Sequence, residues 1–383
     1  MRIEPRWFTV PALFSLCLLS WTFVSAHAGP PAVAPGPTCA SSDDTLPSGL
    51  VVVIENKPQG SLASDLRALK NPSISGVALQ IHWSDIEPVQ GSPNWAALDE
   101  LFAAAESAGK WVHLLIFPGF FAPAWALEGV KTDSFPLQYG PGAGATAKLP
   151  MPWDRVYLTR WFAFLKQLGE RYGKSPAFRL IGADGPTSVS AETTLPNSAQ
   201  DLRKWQADAY TASKYIGAWQ DVLQAYAADF PRQCVSISGG ARAGLNLNDQ
   251  GRIDPHENAR AKQAIVDQAT RLLGSRLALQ LSDVHAGPGP HVENSAGEDK
   301  YIINYIGRVI TGFQLRTSAE HGSDVMGAKG DPPLALKKSI DYALETNSAG
   351  HHVNYLEVYE PDVLADDLQA VLRDAAARFA RKH

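Results

Sequence analysis

From residue 49 onward the chain alternates between two textures. Short apolar runs of strand length appear at Leu50–Ile54, Gly76–Ile81, Trp111–Phe117, Phe178–Ala183, Val235–Ser238, Leu277–Leu281, Thr311–Leu315 and Val353–Val358. Stretches with apolar residues at helical spacing lie between them, over 61–70, 95–109, 154–173, 200–229, 255–274, 300–308, 333–347 and 362–382. Most of the short runs are continuously apolar rather than alternating, which is what a parallel strand needs when both of its faces are covered. Strands alternating with helices build βαβ units, and eight such units close a single (β/α)8 barrel. The competing architecture, an open doubly wound sheet, normally carries a glycine-rich phosphate turn after its first strand. Here the first run continues into Glu55-Asn56-Lys57-Pro58, and a barrel is the expectation. Two connections are long, 118–153 after the third strand and 184–200 after the fourth. Both leave the C-terminal strand ends, where barrel enzymes build their sites.

The N-terminal segment has a different pattern. Arg2 and Arg6 precede a mostly apolar run from Trp7 to Val24, which ends at the small-residue site Ala26-His27-Ala28. This reads as a signal peptide over 1–28, with a signal anchor as the alternative, and it predicts a secreted or periplasmic protein. Residues 29–48 are rich in Pro, Ala, Gly and Ser and read as a flexible lead-in, leaving 49–383 as the barrel domain. Two cysteines remain outside the leader, Cys39 ahead of the first strand and Cys234 opening the fifth. Both would sit near the N-terminal face of the barrel, where an oxidising compartment permits one disulfide.

Charge and motifs narrow the function. The formal net charge is -5 and no basic block occurs, so a nucleic-acid partner or an anionic membrane surface is not expected after leader cleavage. The chain has no His-x-His, His-Glu-x-x-His or Cys-x-x-Cys, no phosphate loop and no Gly-x-Ser-x-Gly elbow. His351-His352 precede the eighth strand, at the wrong end of a barrel for catalysis. Neither a metal nor a cofactor is therefore expected.

The residues at the C-terminal strand ends are rich in carboxylates. Glu55 follows the first strand; His82, Trp83, Asp85 and Glu87 the second; Asp184 and Glu192 the fourth; Arg242 the fifth; Asp283 and His285 the sixth; Glu320 and His321 the seventh; Glu357, Tyr359 and Glu360 end the eighth. Two carboxyl groups on different strands can divide labour, one ionised and attacking, the other protonated and donating to a leaving group. Glu192 and Glu320 meet that requirement, with Glu357 in reserve as nucleophile. His82, Trp83, Asp184, His285 and Glu357 are expected to contact substrate, as is Trp125 on the aromatic loop Phe117-Pro118-Gly119-Phe120-Phe121-Ala122-Pro123-Ala124-Trp125. Aromatic faces suit the C–H faces of sugars.

The stretch Ile81-His82-Trp83-Ser84-Asp85-Ile86-Glu87-Pro88, followed by Gly91, Asn94-Trp95 and Leu98-Asp99, resembles the second-strand region of the large clan of retaining (β/α)8 glycosidases. That clan includes cellulases, mannanases and β-galactosidases. Gly109-Lys110 and Pro123-x-Trp125 are similar to it as well. The resemblance implies an acid/base glutamate after strand 4 and a nucleophile glutamate at the end of strand 7, by position Glu192 and Glu320. It also implies an oligosaccharide or polysaccharide substrate. The chain departs from the clan at Ala191, where an Asn usually precedes the acid/base. That departure feeds the rival reading, a non-catalytic carbohydrate-binding barrel.

Overall fold

The computed structural model describes residue 39 and residues 46–55, 62–137, 144–186, 192–285, 298–344 and 352–381. The expected signal peptide, and the lead-in apart from Cys39 and residues 46–48, lie outside the described residues. Eight parallel strands close into a barrel. They are β1 (Gly49–Ile54), β2 (Ile74–His82), β3 (Trp111–Phe117), β4 (Phe178–Gly182), β5 (Cys234–Ser238), β6 (Leu277–Val284), β7 (Ile310–Leu315) and β8 (Tyr355–Tyr359). Each strand pairs with its neighbours in the chain, and β8 returns to pair with β1, Glu357 opposite Val51. All eight apolar runs are strands, and the helices between them form the outer layer.

The helical layer departs from expectation over 200–229. The single helix expected over 200–229 is two, Ala199–Ala207 and Ala212–Asp229. Between them Ala209 takes a left-handed backbone (φ 57°), and Thr211 caps the second helix by accepting from the Lys214 N–H at 3.1 Å. Tyr210 is buried in this break, its hydroxyl accepting from the Leu245 N–H at 3.2 Å. The long connection after β3 contains an antiparallel ribbon, Thr132–Pro136 with Thr146–Pro150.

Side chains alternate between the barrel lumen and the helix-packed face. The inward set includes Val51 and Val53 of β1, Ala78 of β2, Trp111 and Leu115 of β3, Leu180 of β4, Ala278 of β6 and Tyr355 of β8. Two glycines make room for the large rings. A Cβ on Gly76 would lie 2.6 Å from the Trp111 ring, and one on Gly312 would lie 2.0 Å from Tyr355. Cys39 and Cys234 form a disulfide, Cα–Cα 5.0 Å, within this lumen cluster. The bridge tethers the segment ahead of β1 to the N-terminal end of β5.

Candidate active site

Glu192 reaches the barrel by register. Along β4 and β5, Leu180 pairs with Cys234 and Gly182 with Ser236. The next inward position on β5 is Ser238, and its partner is Glu192, in a parallel bridge. The chain thus leaves the sheet after Ala183 and returns at Glu192 to occupy the next step of β4. Strand alternation puts the Glu192 side chain on the lumen face shared with Ser236 and Ser238. It is half-buried there, and one carboxylate oxygen lies 3.4 Å from the Thr194 hydroxyl. Ser238 Oγ and Ser282 Oγ are 2.9 Å apart on the adjoining wall.

Beneath this mouth runs a buried polar chain. Tyr355 donates its hydroxyl proton to Gln280 Oε1 at 2.9 Å, and Gln280 Nε2 donates to Glu357 Oε2 at 2.7 Å. Glu357 Oε1 is 2.6 Å from His113 Nδ1, whose Nε2 is 3.0 Å from Ser236 Oγ. One layer higher, Gln314 Nε2 donates to the Tyr359 hydroxyl at 2.9 Å, and Gln80 Nε2 lies 3.5 Å from Gln314 Oε1. Burial, together with the carboxylates of Glu55, Glu357 and Asp283, pushes the Tyr359 phenol above its usual range, so it stays protonated. His113, Gln280, Gln314 and Gln80 were not singled out from the sequence. Their signal is a lone polar residue inside an otherwise apolar parallel strand, which marks a lumen position.

Several expected contact residues lie elsewhere. Trp83 is fully buried, edge-on to Trp161 (5.0 Å) and Trp125 (5.4 Å), with its indole N–H on Glu87 Oε2 at 3.0 Å. It is a core residue between barrel and helices and cannot wall a sugar site. Trp125 is half-buried and donates to the Glu87 carbonyl at 2.9 Å. Asp184 is also fully buried, beside Tyr157 and Tyr226 in the helix layer, so it too cannot meet substrate. Glu357 sits in the lumen with both oxygens committed to His113 and Gln280, which removes it as a substrate contact and as a reserve nucleophile.

His82 does line the mouth. It stacks on Phe121 at 3.7 Å between centroids and lies 3.4 Å from Asp85. Burial lowers its pKa against the opposing pull of Asp85, which favours a neutral ring. His285, at the end of β6, is buried with Nε2 3.2 Å from Arg316 Nη1, and Arg316 Nε is 3.5 Å from Asp283. Glu320 is exposed on a short helix, Ala319–Gly322, beyond the end of β7. Asp362 holds that turn, accepting from the Ser318 hydroxyl (2.6 Å), the Ala319 N–H (3.1 Å) and the Glu320 N–H (2.9 Å). The residue that β7 itself turns into the barrel at this level is Gln314. Among the described residues no group of three or more His, Cys, Asp or Glu is placed to hold a metal, and no helix is long and apolar enough to cross a membrane.

The closed eight-stranded parallel barrel fits the (β/α)8 glycoside hydrolase clan. Residues 53–228, a little under half of the chain, match the model of the Glyco_hydro_42 β-galactosidase family. A solved structure of a GH5_18 variant from Bifidobacterium longum subsp. longum ATCC 55813, in complex with Manβ1-4GlcNAc, shares the barrel fold at 12% identity. Its TM-score is 0.51, over 87% of this chain and 78% of that one. The exo-β-1,4-mannosidase Op5Man5 from Opitutaceae bacterium strain TAV5 matches at 13% identity and TM-score 0.48, over 87% of this chain and 60% of that one. A β-galactosidase from the psychrophilic Marinomonas ef1 matches at 11% and 0.48, over 86% and 59%. The chain thus spans about three fifths of the length of these last two proteins. No curated protein sequence matches.

Proposed function

We propose that the protein is an exported β-glycosidase working by double displacement, with Glu192 as acid/base and Glu320 as nucleophile. The observation that carries the reading is the Glu192–Ser238 bridge, which supports a carboxyl group at the tip of β4, on the lumen side. In the first step the Glu320 carboxylate attacks the anomeric carbon. The bond to the leaving oxygen breaks, and Glu192 gives that oxygen its proton. In the second step Glu192 takes a proton from water, which attacks the same carbon and frees Glu320. The support for Glu320 is its place past β7 and a backbone locked by Asp362 beneath an exposed side chain. His82, with its ring on Phe121, and the hydroxyl of Tyr359 are the polar groups suited to hold sugar hydroxyls. The β-galactosidase family match supports a β-galactoside as the first substrate to test.

A second reading rests on Gln314. An amide at the inward tip of β7, bonded to Tyr359, suits a barrel that holds a sugar without cleaving it. Incubation with a 2-deoxy-2-fluoro-β-galactosyl fluoride, followed by peptide mass spectrometry, separates the two. A labelled Glu320 is the expected result. A label on Asp283 or Glu55 would move the nucleophile, and failure to label or turn over any β-glycoside, with retained sugar binding, would establish the second reading. N-terminal sequencing of exported protein should begin near Gly29, and an intact Met1 would overturn export by cleavage.

A further inference from the structure

Glu192 stands at the tip of β4 because the residue after it is pinned. Thr193 is fully buried on the outer face of the barrel wall, and its carbonyl and hydroxyl are both engaged. Its carbonyl accepts from the Tyr215 hydroxyl at 2.7 Å and from the Gly244 N–H at 2.7 Å. Its hydroxyl donates to the Arg242 carbonyl at 2.7 Å and accepts from Lys262 Nζ at 3.1 Å. The same ammonium donates to the Ser238 carbonyl at 2.8 Å. Gly239 permits the approach, since a Cβ there would lie 2.9 Å from Thr193 Oγ1. Lys262 is itself fully buried and comes from the outer helix Glu257–Leu273.

We propose that Lys262 is a positioning residue for Glu192: its buried ammonium ties Thr193 to Ser238 and so holds the re-entering chain in register at the mouth. Burying an ammonium is costly, and a lysine of that kind persists where its donors are needed. Here the donors join the residue after Glu192 to the residue opposite Glu192. A neutral or apolar side chain could fill the same volume but would remove the charged donor that the two segments share, leaving the backbone bridges and the Thr193 hydroxyl, at 3.2 Å from the Ser238 carbonyl, to hold them. A carboxyl that donates a proton in the transition state must sit within hydrogen-bond reach of the leaving oxygen, so a shift of about 1 Å matters.

The inference rests on the reading of Glu192 as acid/base, and the test keeps the two apart. Wild type, Glu192→Ala, Lys262→Met, Lys262→Arg and Thr193→Val are compared on phenyl and 2,4-dinitrophenyl β-galactoside, with the matching β-mannosides as a second pair. Lys262→Met should lower kcat/KM on the phenyl glycoside by roughly tenfold or more, part of the 10²–10⁴ that acid–base catalysis supplies. It should change kcat/KM on the dinitrophenyl glycoside by less than about threefold, because kcat/KM reports the first step, where a good leaving group needs little protonation. The basic limb of the kcat/KM profile on the phenyl substrate should move as well. Lys262→Arg should recover part of the loss. Thr193→Val, which keeps the ammonium on Ser238, should show the same selectivity more weakly and serves if Lys262→Met does not fold. If Glu192→Ala lacks the leaving-group dependence, or wild type turns over neither pair, the acid/base reading falls and this inference with it. If Glu192→Ala shows it while Lys262→Met and Thr193→Val damage both substrates equally or neither, the reading stands and the positioning role is overturned.

Discussion

Asp184 offers a test that needs no substrate. Its carboxyl is fully buried, and neither oxygen has a hydrogen-bond partner among the described residues. Its backbone is well held, the N–H donating to the Tyr226 hydroxyl at 3.0 Å and the carbonyl accepting from Trp161 Nε1 at 2.9 Å. The side chain is therefore fixed in an apolar and aromatic setting where an ionised carboxylate has nothing to meet. Burial raises its pKa well above the usual carboxylate range. The folded protein keeps the proton at pH values where the unfolded chain has released it. Stability is thus undiminished below the unfolded pKa of about 3.9 and falls as pH rises from there until it passes the folded pKa.

The slope has a definite size. One proton retained by the folded state and lost by the unfolded one costs about 1.4 kcal/mol per pH unit. Asp184→Asn replaces the neutral acid with a neutral amide of the same shape. Any fixed difference in hydrogen bonding between the two then appears as an offset that does not vary with pH. Urea unfolding of both proteins, disulfide intact, between pH 4.5 and pH 7.0 should show the Asn variant gaining on wild type as pH rises. The gain should reach about 3 kcal/mol across that window if the folded pKa lies above it. A difference that stays flat from about pH 4.5 to 7.0 would mean the carboxyl ionises in the folded state, and the reasoning from its burial would be refuted.

Three further outcomes are expected. Replacing Cys39 and Cys234 together by Ser opens a loop of sequence separation 195, for which chain entropy gives a loss of about 5 kcal/mol, read by urea unfolding, with kcat preserved because the bridge lies at the other end of the barrel. Glu357→Gln sets an amide donor against Gln280 Nε2 or His113 and should cost about 1–3 kcal/mol; unchanged stability would remove the buried polar chain as a structural element. Glu320→Ala should abolish turnover of every substrate, while Glu192→Ala should spare kcat/KM but lower kcat on activated aryl glycosides, a loss that azide partly rescues as a β-glycosyl azide; survival of wild-type rates in both refutes the pair.

The barrel was legible because each strand is buried on two faces, which leaves a continuous apolar run, and because the helices between the runs keep their own period. The site was legible only in part, and the reason is register. His82 faces the lumen beside Phe117, its register partner on β3. The strand ends at His82, and Trp83 opens the helical turn Trp83–Ile86, which carries it outward into the helix layer, where it packs on Trp161. Strand alternation places Gly312 and Gln314 inward on β7, while Glu320 lies beyond the strand on a turn that Asp362 organises from across the rim. Glu192 is the opposite case. Counted along the chain it lies far past β4, and nothing in the spacing says that it rejoins the sheet. What returns it is a long-range set of partners: Ser238 opposite, Lys262 and Tyr215 on Thr193, and glycines at 239 and 244 that let the backbones meet. Each of these residues is unremarkable in its own segment. Their common target appears only when the fourth and fifth βα units are packed together, so a site residue carried by a re-entrant chain is specified by the residues that hold it rather than by its neighbours in sequence.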